Sequence, residues 1–333
     1  MRSIDFFGTI GPACSAVETL VALINAGMTG VRINNSHSRL VDCKKYIEAI
    51  RRAMELAGKP QKVLMDLQGS ELRICSLTEP FLLKAHEAVQ IVSQQASGKK
   101  QVPVPKELFE ALQKSLVPLL LDDGLIRLEP VSNAGEYLEY RAQNDCVIRP
   151  HKSISCDIEV ELPIICEADR LDLEFAKETG IIYGVMVPFV QKADDVIYVR
   201  DVLKSIGADN FKIYAKIESR VGVENINSII PHCDYVVIAR GDLGMHIPLF
   251  DIPKTQKHIA NACNAQGREF LVVTQMLHSM LSQPVPTRAE VCDIYNAICD
   301  GASALMLTGE TAIGKYPVDS MKYLVSTANT ALE

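Results

Sequence analysis

The chain has 333 residues, 48% hydrophobic and 23% charged, with a formal net charge of −7. That length admits one large α/β barrel or two ordinary domains, with a sizeable core under a normal polar surface. An acidic chain without a Lys/Arg-rich block argues against nucleic acid or an anionic membrane as main partner, and no run approaches the roughly 20 apolar residues of a membrane span. The start, MRSIDFFGTI, does not read as a signal peptide. The ten cysteines are scattered without CxxC pairs, which predicts reduced thiols and a cytoplasmic protein.

In chain order, strand-like runs rich in Val, Ile and Leu fall at 3–8, 29–34, 63–67, 181–187, 211–216, 234–239, 270–274 and 303–307. Segments with helical spacing follow at 16–26, 40–56, 170–179, 193–205, 254–265, 288–298 and 317–331. Ser15 followed by Glu18 resembles a capping box, and Gly27, Gly180 and Gly267 stand where helices should stop. Runs such as FLVVT and ALMLT are apolar throughout, as strands covered on both faces must be. The alternation predicts an α/β fold, a (β/α)8 TIM barrel, with a doubly wound sheet as the alternative.

One interval breaks the rhythm. Residues 74–161 carry alternating runs such as GLIRLEP and EYLEYRA, punctuated by Asp122-Asp123-Gly124 and Asn133-Ala134-Gly135. They predict a small all-β domain inserted after strand 3, with the barrel built from 1–73 and 162–333. An insertion there would overhang the catalytic face and suits a lid; a passive surface insertion is the alternative.

In such a barrel, chemistry gathers where the strands end. Strand 2 leads to Arg32, Asn34, Ser36 and His37, and strand 3 to Asp66, Glu71 and Arg73. Strand 5 offers Lys216 and Glu218, strand 6 Arg240, Gly241 and Asp242, strand 7 Thr274 and Gln275, and strand 8 Thr308 to Thr311. Glu218 and Asp242 are hard oxygen donors of the kind magnesium or manganese takes. Lys216, at the end of an apolar strand, would neutralise charge on a transferring phosphoryl group. Arg32 and Arg73 are further cations for a phosphate, though either could simply pair with Glu71 or Asp66. Asn34, Ser36 and Asp66 offer oxygens with too little charge for a second divalent ion and better suit a monovalent one. The Gly309-Glu310-Thr311 loop reads as a phosphate cradle or as an ordinary tight loop. His37 alone is a weak signal.

These motifs make the chain resemble the pyruvate kinase family. The resemblance runs through Gly8-Thr9-Ile10-Gly11-Pro12, Val31 to His37, Asp66 to Arg73, Leu121 to Ile126, Lys216 to Glu218 and Ala239 to Gly244. It continues through Val273 to Leu277, Pro286 to Glu290 and Leu307 to Ala312. It implies phosphoryl transfer from phosphoenolpyruvate to ADP, giving pyruvate and ATP, with magnesium and potassium. By this resemblance Lys216 stabilises the phosphoryl group, Glu218 and Asp242 hold magnesium, and Thr274 lies near the enolate carbon. Arg32 and Arg73 contact phosphate, the Arg240–Gly241–Asp242 segment binds the substrate, and His37 lines the nucleotide site. Asn34, Ser36, Asp66 and the Leu67 carbonyl bind potassium.

The chain departs from the family pattern at Asn35, Leu67-Gln68, Ser70, Pro188, Gln191 and Ile313, mostly on the nucleotide side and at a hinge. Two alternatives therefore stay open: a specialised metal-dependent enzyme acting on phosphoenolpyruvate, pyruvate or a related 2-oxo acid, and a non-catalytic paralogue. The chain stops after the eighth helix, so the expected protein is a short form without the family's C-terminal domain. Regulation through that domain and the usual tetramer are not expected; a homodimer through the barrel is compatible.

Overall fold

Eight apolar runs form the strands of a closed parallel barrel: β1 (Asp5–Thr9), β2 (Gly30–Asn34), β3 (Lys62–Asp66), β4 (Ile182–Val187), β5 (Lys212–Ile217), β6 (Tyr235–Ala239), β7 (Glu269–Val273) and β8 (Ala304–Leu307). The structure is a computed structural model that describes every residue except 1–2, 36–37, 70, 78, 96–97, 99, 123, 157, 159 and 161. Each strand lies within two residues of the span its apolar run implies. β1 pairs with β8, which closes the ring in sequence order. The register sets Arg32 beside Leu64, Asn34 beside Asp66, and Lys216 beside Val237.

Alternate residues point inward and fill the barrel, as the two-residue period of a strand requires. Phe7, Leu64, Met186, Tyr214, Val237, Leu271 and Met306 belong to this interior. The Tyr214 ring stacks on Tyr235 at 4.3 Å and meets the edge of Phe7 at 6.3 Å.

Helices Val17–Asn25, Lys44–Ala57, Glu167–Thr179, Ala193–Ser205, Ile252–Ala265, Arg288–Cys299 and Pro317–Thr330 follow their strands. Gly27, Gly180 and Gly267 all take positive φ just past a helix, as their positions suggested. The Ser15–Glu18 capping box does not form. Ala16 is the N-cap, without a side-chain cap, so Ser15 lies one position too early and Glu18 falls at the second helical residue. A true capping box opens Arg288–Cys299, where Thr287 Oγ1 accepts from Glu290 N and Glu290 Oε2 from Thr287 N.

The chain divides into two compact units, the barrel unit (1–69, 164–243 and 250–333) and a second formed by 70–163 with 244–249. The second unit holds a six-stranded sheet, in the order 154–156, 119–121, 126–133, 138–142, 88–93 and 101–104, and a separate pair, 81–83 with 146–148. Its own core gathers Ile91, Val102, Leu108, Leu128, Leu138 and Tyr140. Asn133-Ala134-Gly135 makes the hairpin turn between two strands, with Asn133 Oδ1 accepting from Gly135 N. One helix, Lys106–Lys114, buries Leu108, Phe109 and Leu112, so this unit is mainly rather than wholly β.

Candidate active site

β5 carries Lys216 into the C-terminal mouth of the barrel. Its ammonium nitrogen lies 3.1 Å from Asp66 Oδ1, at the end of β3, and 3.2 Å from Glu218 Oε1. Arg32 on β2 grips the other Asp66 oxygen through Nη2 at 2.6 Å and Nε at 2.8 Å. The remaining Glu218 oxygen accepts from Phe189 N at 2.8 Å. Side chains from β2, β3 and β5 thus converge on one spot, with two cations set against two carboxylates.

The two acids shift in opposite directions. Burial would raise Asp66, but Lys216 and Arg32 together outweigh it and hold this carboxyl below the usual range. Burial dominates at Glu218 and lifts it to about 8; Lys216 opposes this, and the charge of Asp242 adds to it. Lys216 stays protonated, because the pull of Asp66 and Glu218 exceeds the desolvation that would lower it. Glu218 has only one cation beside it and a second carboxylate in electrostatic reach. That donor chemistry is what a hard divalent cation satisfies. Among the described residues, no group of three or more His, Cys, Asp or Glu is placed to hold a metal alone, so water and substrate oxygens would complete the shell.

A second cluster forms between β6 and β7. Arg240 Nη1 binds both Asp293 oxygens, at 2.8 and 2.7 Å, while Nη2 and Nε donate to the Thr274 carbonyl at 2.8 and 3.2 Å. Thr274 and Gln275 both have positive φ, +79° and +57°. A Cβ on Gly241 would stand 3.0 Å from Thr274 Cγ2, so the close approach there depends on a residue without a side chain.

Buried carboxylates also fix the loops that carry these groups. Asp169, on helix Glu167–Thr179, accepts from Gln68 N at 2.8 Å, Gly69 N at 3.0 Å and Cys166 N at 3.0 Å. One side chain thereby ties both points at which the chain leaves and re-enters the barrel unit. One turn on, Asp172 accepts from Asn35 Nδ2 at 3.2 Å and Arg39 Nε at 2.9 Å. Glu310 accepts from Thr308 N at 2.8 Å and Leu277 N at 3.1 Å, joining the ends of β7 and β8. These bonds suit the other reading of the Gly309-Glu310-Thr311 segment, an ordinary tight loop. A carboxylate already occupies amide groups there, and the helix Gly309–Ala312 is only four residues long.

The structure therefore brings together Arg32, Asp66, Lys216 and Glu218, sets Asn34 beside Asp66, and places Thr274 against Gly241 and Arg240. Arg32 does pair with Asp66, and Arg73 with Glu71 at 2.6 Å. Arg73 belongs to the second unit, where it also donates to His151 O at 2.7 Å. Leu67 N donates to Met186 O at 3.0 Å. Ser36 and His37 lie outside the described residues. Sequence reasoning missed Asp169, Asp172 and Asp293. Their long-range partners lie 53 to 137 positions away, so only a carboxylate on a helix facing a loop could have signalled them.

Fold and site define a TIM-barrel protein whose mouth sets two cations against two buried carboxylates. The family model described as pyruvate kinase, barrel domain, matches residues 1–321. The chain is 37% identical over 322 residues to the pyruvate kinase of Chlamydia trachomatis serovar D, covering 96% of this chain and 66% of that protein. It is 36% identical over 330 residues to the pyruvate kinase of Aeropyrum pernix, covering 98% and 70%. Against that of Geobacillus stearothermophilus it is 38% identical over 322 residues, covering 94% and 54%. The chain belongs to the pyruvate kinase family. It spans a little under two thirds of the length of the chlamydial relative.

Proposed function

We propose that the protein transfers a phosphoryl group from phosphoenolpyruvate to ADP, giving pyruvate and ATP. The observation that carries this reading is the buried Lys216 ammonium held between Asp66 and Glu218 at the barrel mouth. A permanent cation there is poised for the charge that spreads over a phosphoryl group in flight. Glu218 and Asp242 would hold magnesium or manganese, which would supply charge neutralisation for phosphate and enolate oxygens. Asn34, Asp66, Ser36 and the Leu67 carbonyl are the donors we assign to potassium. In this structure Lys216 and Arg32 already occupy the Asp66 carboxylate, which leaves a monovalent ion its spare lone pairs.

In the reaction the bond between phosphorus and the enolate oxygen breaks, and a β-phosphate oxygen of ADP forms the new bond. The enolate then gains a proton at its methylene carbon and becomes pyruvate. We assign Lys216 to the phosphoryl oxygens, Arg32 to phosphate, the backbone at Gly241 to the substrate carboxylate, and Thr274 to the neighbourhood of the carbon that is protonated. His37 is assigned to the nucleotide. The ten cysteines form no disulfide, which favours a reducing compartment, and we place the protein in the cytoplasm. No helix among the described residues is long and apolar enough to cross a membrane.

The test is direct. Purified protein is given magnesium, potassium, phosphoenolpyruvate and ADP, and pyruvate and ATP are measured, with Lys216→Met as control. Turnover by the wild type alone supports the proposal. Binding of phosphoenolpyruvate without ATP formation would point to a specialised enzyme, and no binding of either substrate to a non-catalytic paralogue.

A further inference from the structure

We propose that Asp293 is a positioning residue that, through Arg240, holds Thr274 in the backbone conformation that sets its side chain beside Gly241. The proposal rests on the phosphotransfer reading above and adds to it the device that orients the protonation step.

Thr274 and Gln275 lie consecutively at φ +79° and +57°, a region that a β-branched residue adopts only when its surroundings enforce it. The enforcing group is Arg240, which places two donors on the Thr274 carbonyl, at 2.8 and 3.2 Å. Its Nη1 is bound by both oxygens of Asp293, and Nη2 also reaches Met276 Sδ at 3.0 Å. The guanidinium is thus fully engaged by the protein on both edges, which leaves it to orient the loop rather than to bind substrate.

Asp293 stands on firm ground. Its helix is anchored to the same loop through Glu290, which accepts from Ser279 N at 2.8 Å and Ser279 Oγ at 2.5 Å. At the far end of the relay, Gly241 leaves room for Thr274: a Cβ there would lie 3.0 Å from Thr274 Cγ2 and 3.5 Å from its Oγ1. The threonine hydroxyl is therefore set against the backbone assigned to the substrate carboxylate. In the step concerned, the enolate carbon gains one proton of solvent origin and the enolate C–O becomes a carbonyl. Run backwards, the step exchanges the methyl hydrogens of pyruvate with water.

The experiment compares wild type, Asp293→Ala, Asp293→Asn and Arg240→Gln in steady-state kinetics and in deuterium exchange of the pyruvate methyl group, followed by proton NMR. A crystal structure of Asp293→Ala completes it. We expect kcat and the exchange rate to fall about thirtyfold or more in Asp293→Ala, with KM for phosphoenolpyruvate within about threefold of wild type. The double variant Asp293→Asn/Arg240→Gln should be no slower than Arg240→Gln alone, because the two residues act as one unit. In the crystal Thr274 should leave positive φ. Unchanged exchange, a KM effect at constant kcat, or a retained positive φ each overturns the proposal. Should the wild type neither transfer phosphate nor exchange hydrogens, the phosphotransfer reading falls, and the Thr274 conformation in Asp293→Ala still decides the positioning claim.

Discussion

The two ends of the barrel treat charge in opposite ways. At the N-terminal end, Asp5 meets Lys62 at 2.5 Å, and Asp234 meets Arg200 at 2.6 Å and Lys212 at 3.3 Å. Those side chains remain 18–44% exposed, so water shares the cost of each charge. At the C-terminal mouth the corresponding figures are 13% for Lys216, 3% for Asp66 and 1% for Glu218. Tyr214 and Lys216 are two residues apart on the same inward face of β5, one packed in an aromatic stack and the other in the charged cluster. Desolvating ions costs free energy that their mutual attraction often fails to return. A fold seeking only stability would have continued the apolar layers upward; the mouth instead buries charge that the base leaves partly to water.

The largest effect is expected for Lys216→Met, which should cut turnover at least about a thousandfold, or ~4 kcal/mol, in the coupled assay. Its melting temperature should stay within about 4 °C of wild type, because Asp66 keeps Arg32 and burial already favours the protonated form of Glu218. A collapse in stability with turnover retained would reverse the roles of the two ends.

Next comes Tyr214→Ala at the base, expected to cost about 3–4 kcal/mol in denaturant unfolding by emptying the stack. The folded fraction should keep kcat within about threefold; a larger drop would show that the layers beneath the mouth set its geometry.

Asp242→Asn should slow the reaction at least about a hundredfold, roughly 2.7 kcal/mol, with little change in unfolding. A variant within threefold of wild type would remove Asp242 from the ligand set.

The smallest effect belongs to Asp234→Asn, about 1 kcal/mol near neutral pH. Burial would raise this carboxyl, but Arg200, the Ile213 amide and Lys212 hold it below its ordinary value. Its stabilisation is therefore present above the ordinary aspartate range and lost as pH falls through the folded-state value. The gap between the unfolding stabilities of the two proteins should be constant near neutral pH and shrink as pH falls below the ordinary aspartate range; a gap that stays constant into acid would contradict the assignment.

The barrel was legible because burial on both faces forces uniformly apolar strands, and runs such as Phe270–Val273 declare it locally. Lys216 and Glu218 were legible for the converse reason: charges on an apolar strand end need a purpose. The first capping box misled, since Ser15 and Glu18 match a spacing whose start the chain places at Ala16. Asp169, Asp172 and Asp293 were silent, because each looks like a solvated helix residue until folding brings it to a loop far away in sequence. The helix Lys106–Lys114 was overlooked among alternating runs that read as continuous β-structure.

We propose that Glu218 and Asp242 share one divalent ion beside Lys216. Crystals grown with manganese and phosphoenolpyruvate test it through anomalous scattering. We expect a single peak within about 2.2 Å of an oxygen from each carboxylate. A peak elsewhere at the barrel mouth, or carboxylates that ignore the ion, would contradict it.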